Sequence, residues 1–156
     1  MGGVSYGAGT ALQLAPQIPD VPFILADSSY RSVEGIVRAR GEAQFGPFLG
    51  GLLLPGVLAM AELRADFDAA TVSPENAIAD AQMPILLIHS RTDNFTPYTH
   101  SEAIYANSDQ SRTVLHVNDW GSSHAADIGT DFTAYKQLFD AFMAEYAPDF
   151  GLPPGQ

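Results

Sequence analysis

A chain of 156 residues with 46% apolar composition can build one globular domain with a buried core, and nothing in it suggests two. Its 18 acidic residues outnumber 7 basic ones, and no Lys/Arg cluster interrupts that balance, which argues against nucleic acid or an anionic membrane surface as partner. The absence of cysteine excludes disulfides, thiolate metal sites and a cysteine nucleophile, and leaves the redox compartment unmarked.

No basic stretch followed by an apolar run opens the chain, so no secretory leader is visible, and the expectation is either a cytoplasmic location or a leader missing from the chain as given. The first predicted helix runs from about Tyr6 to Ala15, with Ala8, Ala11, Leu12 and Ala15 on one face, Gly7 and Gly9 allowing close packing, and Pro16 ending it. Phe23 to Ala26 is a short apolar run feeding Asp27, Ser28 and Ser29, as a buried strand feeds a polar loop. From Ser32 to Leu63 comes a weakly helical excursion rich in Gly and Pro. Within it the uncharged stretch Ala43 to Ala61 approaches membrane-spanning length, but Pro47, Pro55 and the glycines at 46, 50, 51 and 56 predict packed irregular structure or short helices, not a membrane span.

Met83 to His89 is the clearest strand, introduced by Pro84 and ended by Ser90-Arg91-Thr92-Asp93. A helix from about Tyr98 to Ala106, a β-branched strand around Thr113 to Val117, a Gly121-containing loop with His124, and a closing helix from about Phe132 to Tyr146 follow. Strands alternating with helices predict an α/β fold, a mainly parallel sheet of about three or four strands flanked by helices. The domain is expected over 1–147. Pro148, Pro153 and Pro154 mark an irregular, mobile tail over 148–156.

Gly3-Val4-Ser5-Tyr6-Gly7 matches the G-x-S-x-G elbow, in which small residues flank a serine forced into a tight strand-to-helix turn. A serine hydroxyl is a poor nucleophile at neutral pH and needs a base, which in turn needs an acid to fix its tautomer. Asp93 and His124 are residues of those types, each in a loop just beyond a strand, in the order Ser, Asp, His.

Gly-Val-Ser-Tyr-Gly-Ala at 3–8, Ala-Asp-Ser-Ser-Tyr at 26–30, Pro-Ile-Leu-Leu-Ile-His-Ser-Arg-Thr-Asp at 84–93 and Trp-Gly-Ser-Ser-His-Ala at 120–125 resemble the α/β-hydrolase superfamily, in particular its prolyl-oligopeptidase-like and serine-aminopeptidase-like esterase branch. The resemblance spans nearly the whole chain. It implies Ser5 as nucleophile, Asp93 as acid, His124 as base, the backbone N–H of Tyr6 as one oxyanion-hole donor, and a cap or acyl pocket over residues 32–63. Two departures stand out. The branch usually has glycine where this chain has Ser90, a change expected to leave Asp93 in place. In a complete member about half the sheet precedes the elbow, with the loop that gives a second oxyanion donor, whose loss costs on the order of 10²–10³ in turnover; here only Met1, Gly2 and Gly3 stand before Val4 and Ser5.

Asp27 rivals Asp93, since some lipases of this fold draw their acid from that position; otherwise it should organise its loop by accepting backbone hydrogen bonds. His89 and His116 are expected to be packed and hydrogen-bonded, and His100 to lie on a helix surface. Tyr6, Tyr30 and Trp120 are candidates to line the substrate pocket. The His/Asp spacing fits no recognised metal pattern, so neither metal nor cofactor is expected. The leading expectation is a serine hydrolase of small-molecule carboxylic esters working through an acyl-enzyme, with peptide or amide substrates left open by the resemblance. Its rival is an impaired remnant serving as a binding or oligomerisation module. Both expect a homodimer, or a separate N-terminal half, to complete the sheet.

Overall fold

The structure, a computed structural model, describes residues 1–151; Pro153 and Pro154 of the expected tail lie outside the described residues. Four parallel strands pair in chain order: β1 (Gly2–Val4), β2 (Ile24–Asp27), β3 (Ile85–Ser90) and β4 (Thr113–Asn118). The registers set Val4 beside Asp27, Asp27 beside Ile88 and Ser90 beside Asn118, so the loops carrying chemistry leave one edge of the sheet together. This is the α/β architecture the alternation predicts.

Parallel strands need crossovers, and the helices that provide them cover both faces. On one face α1 (Tyr6–Leu14) and α4 (Thr99–Ala106) bury Ala8, Ala11, Leu12 and Ile104 against Ile24, Ala26, Ile85 and Leu87. On the other, α6 (Phe132–Tyr146) sets Tyr135 and Phe142 against Phe23, Leu86 and Ile88. Being covered on both sides, β3 is buried throughout, which is why it reads as an unbroken apolar run. Short helices α3 (Pro74–Ala77) and α5 (Asp127–Thr130) have no counterpart in the sequence reading. Of the expected tail, residues 148–151 form turns, and Phe150 packs edge-on against Phe23 with ring centroids 5.1 Å apart.

The excursion departs furthest from expectation. It is helical over its whole length, α2 (Val33–Ala65), broken once at Gly46, whose φ of 81° and ψ of 162° suit only glycine. Pro47 then opens the second arm, where no intrahelical N–H is needed. The arms fold back on one another so closely that a Cβ on Gly50 would lie 2.5 Å from the Glu42 nitrogen. Glycine and proline here make a helical hairpin, not irregular coil. By length and composition α2 is apolar enough to cross a membrane, with mean hydropathy 1.5 over its most apolar window, and only 11% of that window is buried. Phe48 and Leu63 are 81% and 83% exposed.

Candidate active site

Ser5 occupies the turn between β1 and α1 with φ 54° and ψ −115°, a strained backbone for a residue with a Cβ. Two restraints hold it: its N–H donates to the Asp27 carbonyl at 2.8 Å, and its own carbonyl accepts the Gly9 N–H at 3.0 Å. The flanking glycines are not equivalent. A Cβ on Gly3 would fall 2.3 Å from the Gly7 carbonyl carbon, so only glycine fits at position 3. At Gly7 a Cβ would meet nothing, contrary to the expectation that both glycines relieve crowding, while Gly9 lies flat against Tyr30. The Tyr6 N–H, at the first helical position, has no acceptor within α1 and directly follows the turn that carries Ser5.

The structure brings Ser5, His124 and Asp93 into one hydrogen-bonded line. Ser5 Oγ is 2.7 Å from His124 Nε2, and His124 Nδ1 is 2.7 Å from Asp93 Oδ2. A carboxylate only accepts, so Nδ1 carries the proton and Nε2 is left to accept from the serine hydroxyl. Asp93 is itself clamped. Its Oδ1 accepts the N–H groups of Phe95 and Thr96, both at 2.9 Å, and its Oδ2 is also 3.2 Å from His89 Nε2. Burial works to raise the pKa of Asp93, but the hydrogen bonds from His89, His124, Thr96 and Phe95 outweigh it and bring the carboxyl down to about 2. His89 is fully buried, accepting from the Ser101 hydroxyl at 2.7 Å and donating to the Thr96 carbonyl at 2.8 Å. It therefore steadies the Asp93 loop, an orienting part that its place at a strand end did not reveal.

Ser90, where the branch has glycine, is buried and used. Its hydroxyl donates to the Ser122 carbonyl at 2.8 Å, and Thr92 donates to the same carbonyl at 2.9 Å, tying the Asp93 loop to the His124 loop. Asp27 departs from its expected part. It is 1% exposed and accepts the Ser28 hydroxyl at 2.9 Å, not backbone N–H groups, and it faces Asp127 and Tyr135 rather than His124. His100, expected at a helix surface, is buried; its Nδ1 accepts the Arg31 N–H at 3.1 Å, and burial first, then the His89 and Arg31 charges, lower its pKa to about 4. His116 lies mid-strand against Trp120, ring centroids 5.7 Å apart.

A cavity of about 420 Å³ opens between the hairpin arms and the elbow, lined by Tyr6, Ile36, Leu53, Leu54, Val57 and Phe95 among others. Of the three aromatic candidates only Tyr6 lines it. Tyr30 is buried under Gly9 and meets the Tyr6 ring edge-on, while Trp120 packs toward Tyr135 on the α6 side of the sheet. Phe95 went unnoticed in the sequence. Its ring lies 4.8 Å from that of His124, and the Arg40 guanidinium sits over the same ring, 4.3 Å from its centroid, joining the first hairpin arm to the Asp93 loop. The signal available was an aromatic residue two positions beyond the candidate acid. Among the described residues no group of three His, Asp or Glu side chains could hold a metal ion.

No family profile matches this chain. It is 27% identical over 143 residues to the uncharacterized protein YqkD of Bacillus subtilis (strain 168), covering 90% of this chain and 46% of that protein, so it spans about half the length of the relative. Among solved structures it resembles the esterase Pf2001 of Pyrococcus furiosus, with TM-score 0.66 and 18% identity over 93% of this chain and 52% of that one. It also resembles the acylaminoacyl peptidase of Pyrococcus horikoshii, with TM-score 0.70 and 14% identity over 98% of this chain and 24% of that one. By this likeness to an esterase and a peptidase, the fold of the chain is that of the α/β-hydrolases.

Proposed function

We propose that the chain carries the catalytic part of a serine hydrolase acting on carboxylic esters. The observation that supports this most is the unbroken relay from Ser5 through His124 to Asp93, with 2.7 Å at each link. Ser5 Oγ attacks the ester carbonyl carbon as His124 Nε2 takes its proton; the imidazolium formed is stabilised by the anionic Asp93. The tetrahedral oxyanion is met by the Tyr6 N–H at the start of α1, where the helix dipole favours negative charge. Collapse of that intermediate breaks the bond to the alkoxy oxygen, which leaves with the proton from His124. Water, deprotonated by the same imidazole, then releases the acid from Ser5. The cavity, lined by aliphatic and aromatic side chains beside Tyr6 and Phe95, favours an apolar acyl group.

A fluorophosphonate probe is expected to label the protein and not its Ser5→Ala variant, with ester turnover lost in parallel; equal labelling of both would refute the assignment. The same reading includes a partner. Among the described residues β1 pairs on one side only, with β2, and Val4 and Tyr6 are exposed, so a second copy or a separate N-terminal segment is proposed to extend the sheet there. Light scattering should then give a mass above that of the monomer, or a shift on adding the segment; a folded monomer with full ester turnover would remove this part.

A further inference from the structure

Asp27 ends β2, and Asp127 opens α5 three residues beyond His124. Both are buried, at 1% and 0% exposure, and their carboxyls face each other within hydrogen-bonding reach. Each has one oxygen served: Ser28 donates to Asp27 Oδ1, and Ser122 donates to Asp127 Oδ1. Each also has one buried oxygen, Oδ2, with no partner. Two carboxylates cannot donate to each other, and two like charges side by side out of water repel strongly. One proton added to the pair supplies the missing donor and removes one charge.

The surroundings offset the burial only in part. The groups acting on Asp27 are Asp127 from α5, Ser28 on its own loop and the Tyr135 hydroxyl from α6, and no cation is among them. Burial, followed by Asp27 and Asp127, drives the ionisation of Tyr135 far upward, so it stays a neutral donor whose hydrogen bond lowers Asp27 by less than burial and Asp127 raise it. The pair has mechanical consequence because Ser122 belongs to the loop that carries His124. That loop is anchored by its Ser122 carbonyl to Ser90 and Thr92 of the β3 end, and by the Ser122 hydroxyl to Asp127.

We infer that Asp27 and Asp127 are positioning residues, that the Asp27 carboxyl holds a proton which it donates to Asp127, and that this hydrogen bond moors the His124 loop to the end of β2. When the proton leaves, two buried negative charges push α5 from β2, and His124 Nε2 loses its alignment with Ser5. Burial, and next the Asp127 charge, raise Asp27 to about 7, so the mooring fails as the solution turns alkaline. The effect on turnover rests on His124 acting as the base; the proton on Asp27 does not.

Difference infrared spectroscopy of the wild-type protein is expected to show a protonated carboxyl band at about pH 6 that disappears by about pH 9. Amide hydrogen exchange of residues 121–126, corrected for the intrinsic pH dependence, should quicken by roughly tenfold over that interval. In Asp127→Asn the amide donates to Asp27 without a titrating proton, so the exchange should stay level and ester turnover should persist on the alkaline side, where that of wild type declines. Asp27→Asn donates from the opposite side and should behave alike, which guards against one variant failing to fold. No protonated carboxyl band at about pH 6, or wild-type exchange as level as in the Asn variants, would overturn the inference. If ester turnover is absent altogether, the infrared and exchange results still decide the mooring.

Discussion

Asp27 ends one strand and Asp93 stands just beyond the end of the adjacent parallel strand, both buried, both candidates for the acid of a triad, and their surroundings drive them to opposite charge states. Asp93 collects donors: two backbone N–H groups, His124 and His89. Asp27 meets one hydroxyl on its own loop, a tyrosine and another carboxyl. Burial penalises the charged form at both places, so the number of donors decides the outcome, about 2 for Asp93 and about 7 for Asp27. A carboxyl that must stay ionised to stabilise an imidazolium needs the first environment. The second suits a carboxyl that keeps its proton and acts as a fastening.

The largest effect expected from this contrast is on turnover. Asp93→Asn should lower kcat about 10⁴-fold by fixing the wrong His124 tautomer, whereas Asp27→Asn, assayed at about pH 6, should stay within about threefold of wild type. Steady-state ester kinetics on both variants decide this, and the reverse ranking would exchange the roles of the two acids.

The next effect is on stability, and the two carboxyls act with opposite sign. Asp93 has a folded pKa below its unfolded one, so its contribution of about 2 kcal/mol is present above about pH 4 and is lost as pH falls toward 2. Asp27 has a folded pKa above its unfolded one. Its contribution is complete below about pH 4 and drains away as pH rises toward 7. Urea midpoints measured across pH should therefore decline on both sides of a mildly acidic maximum. Asp93→Asn should flatten the acid side and Asp27→Asn the neutral side; identical profiles for the two variants would dissolve the contrast.

The smallest effect concerns the link between the two loops. Ser90→Gly restores the residue usual in the branch and removes one hydroxyl from the Ser122 carbonyl, which Thr92 still serves. A loss of about 1 kcal/mol in chemical denaturation is expected, with turnover nearly unchanged. A loss several times larger would mean that Ser90 alone holds the His124 loop against the Asp93 loop.

The sequence made the strands and the order of the three aligned residues legible, because a doubly covered parallel strand such as Ile85–Ser90 leaves an unbroken apolar run ended by polar loop residues. It concealed whatever depends on which face looks inward across elements. His100 lies in a helix with little periodicity, and the group that its ring accepts from, the Arg31 N–H, is far off in the chain. Asp127 gave no hint of meeting Asp27, since nothing local connects a loop residue to a strand end 100 positions earlier. The hairpin is hidden for a different reason: Gly46 and Pro47 break it only where two arms must meet, and Gly41 and Gly50 sit where the backbones of the arms touch.

That contact between the arms bears on what the cavity can admit. Gly41 and Gly50 meet backbone to backbone, with no side chain between them, and both border the cavity. They act as the pivot of a calliper whose jaws are Ile36 and Val37 on one arm and Leu53 and Val57 on the other. A single methyl at the pivot, as in Gly50→Ala, forces the jaws apart while leaving every lining side chain chemically the same. For the ester hydrolase proposed above, chain-length preference would then drift by changing the gauge of the cavity and not its surface.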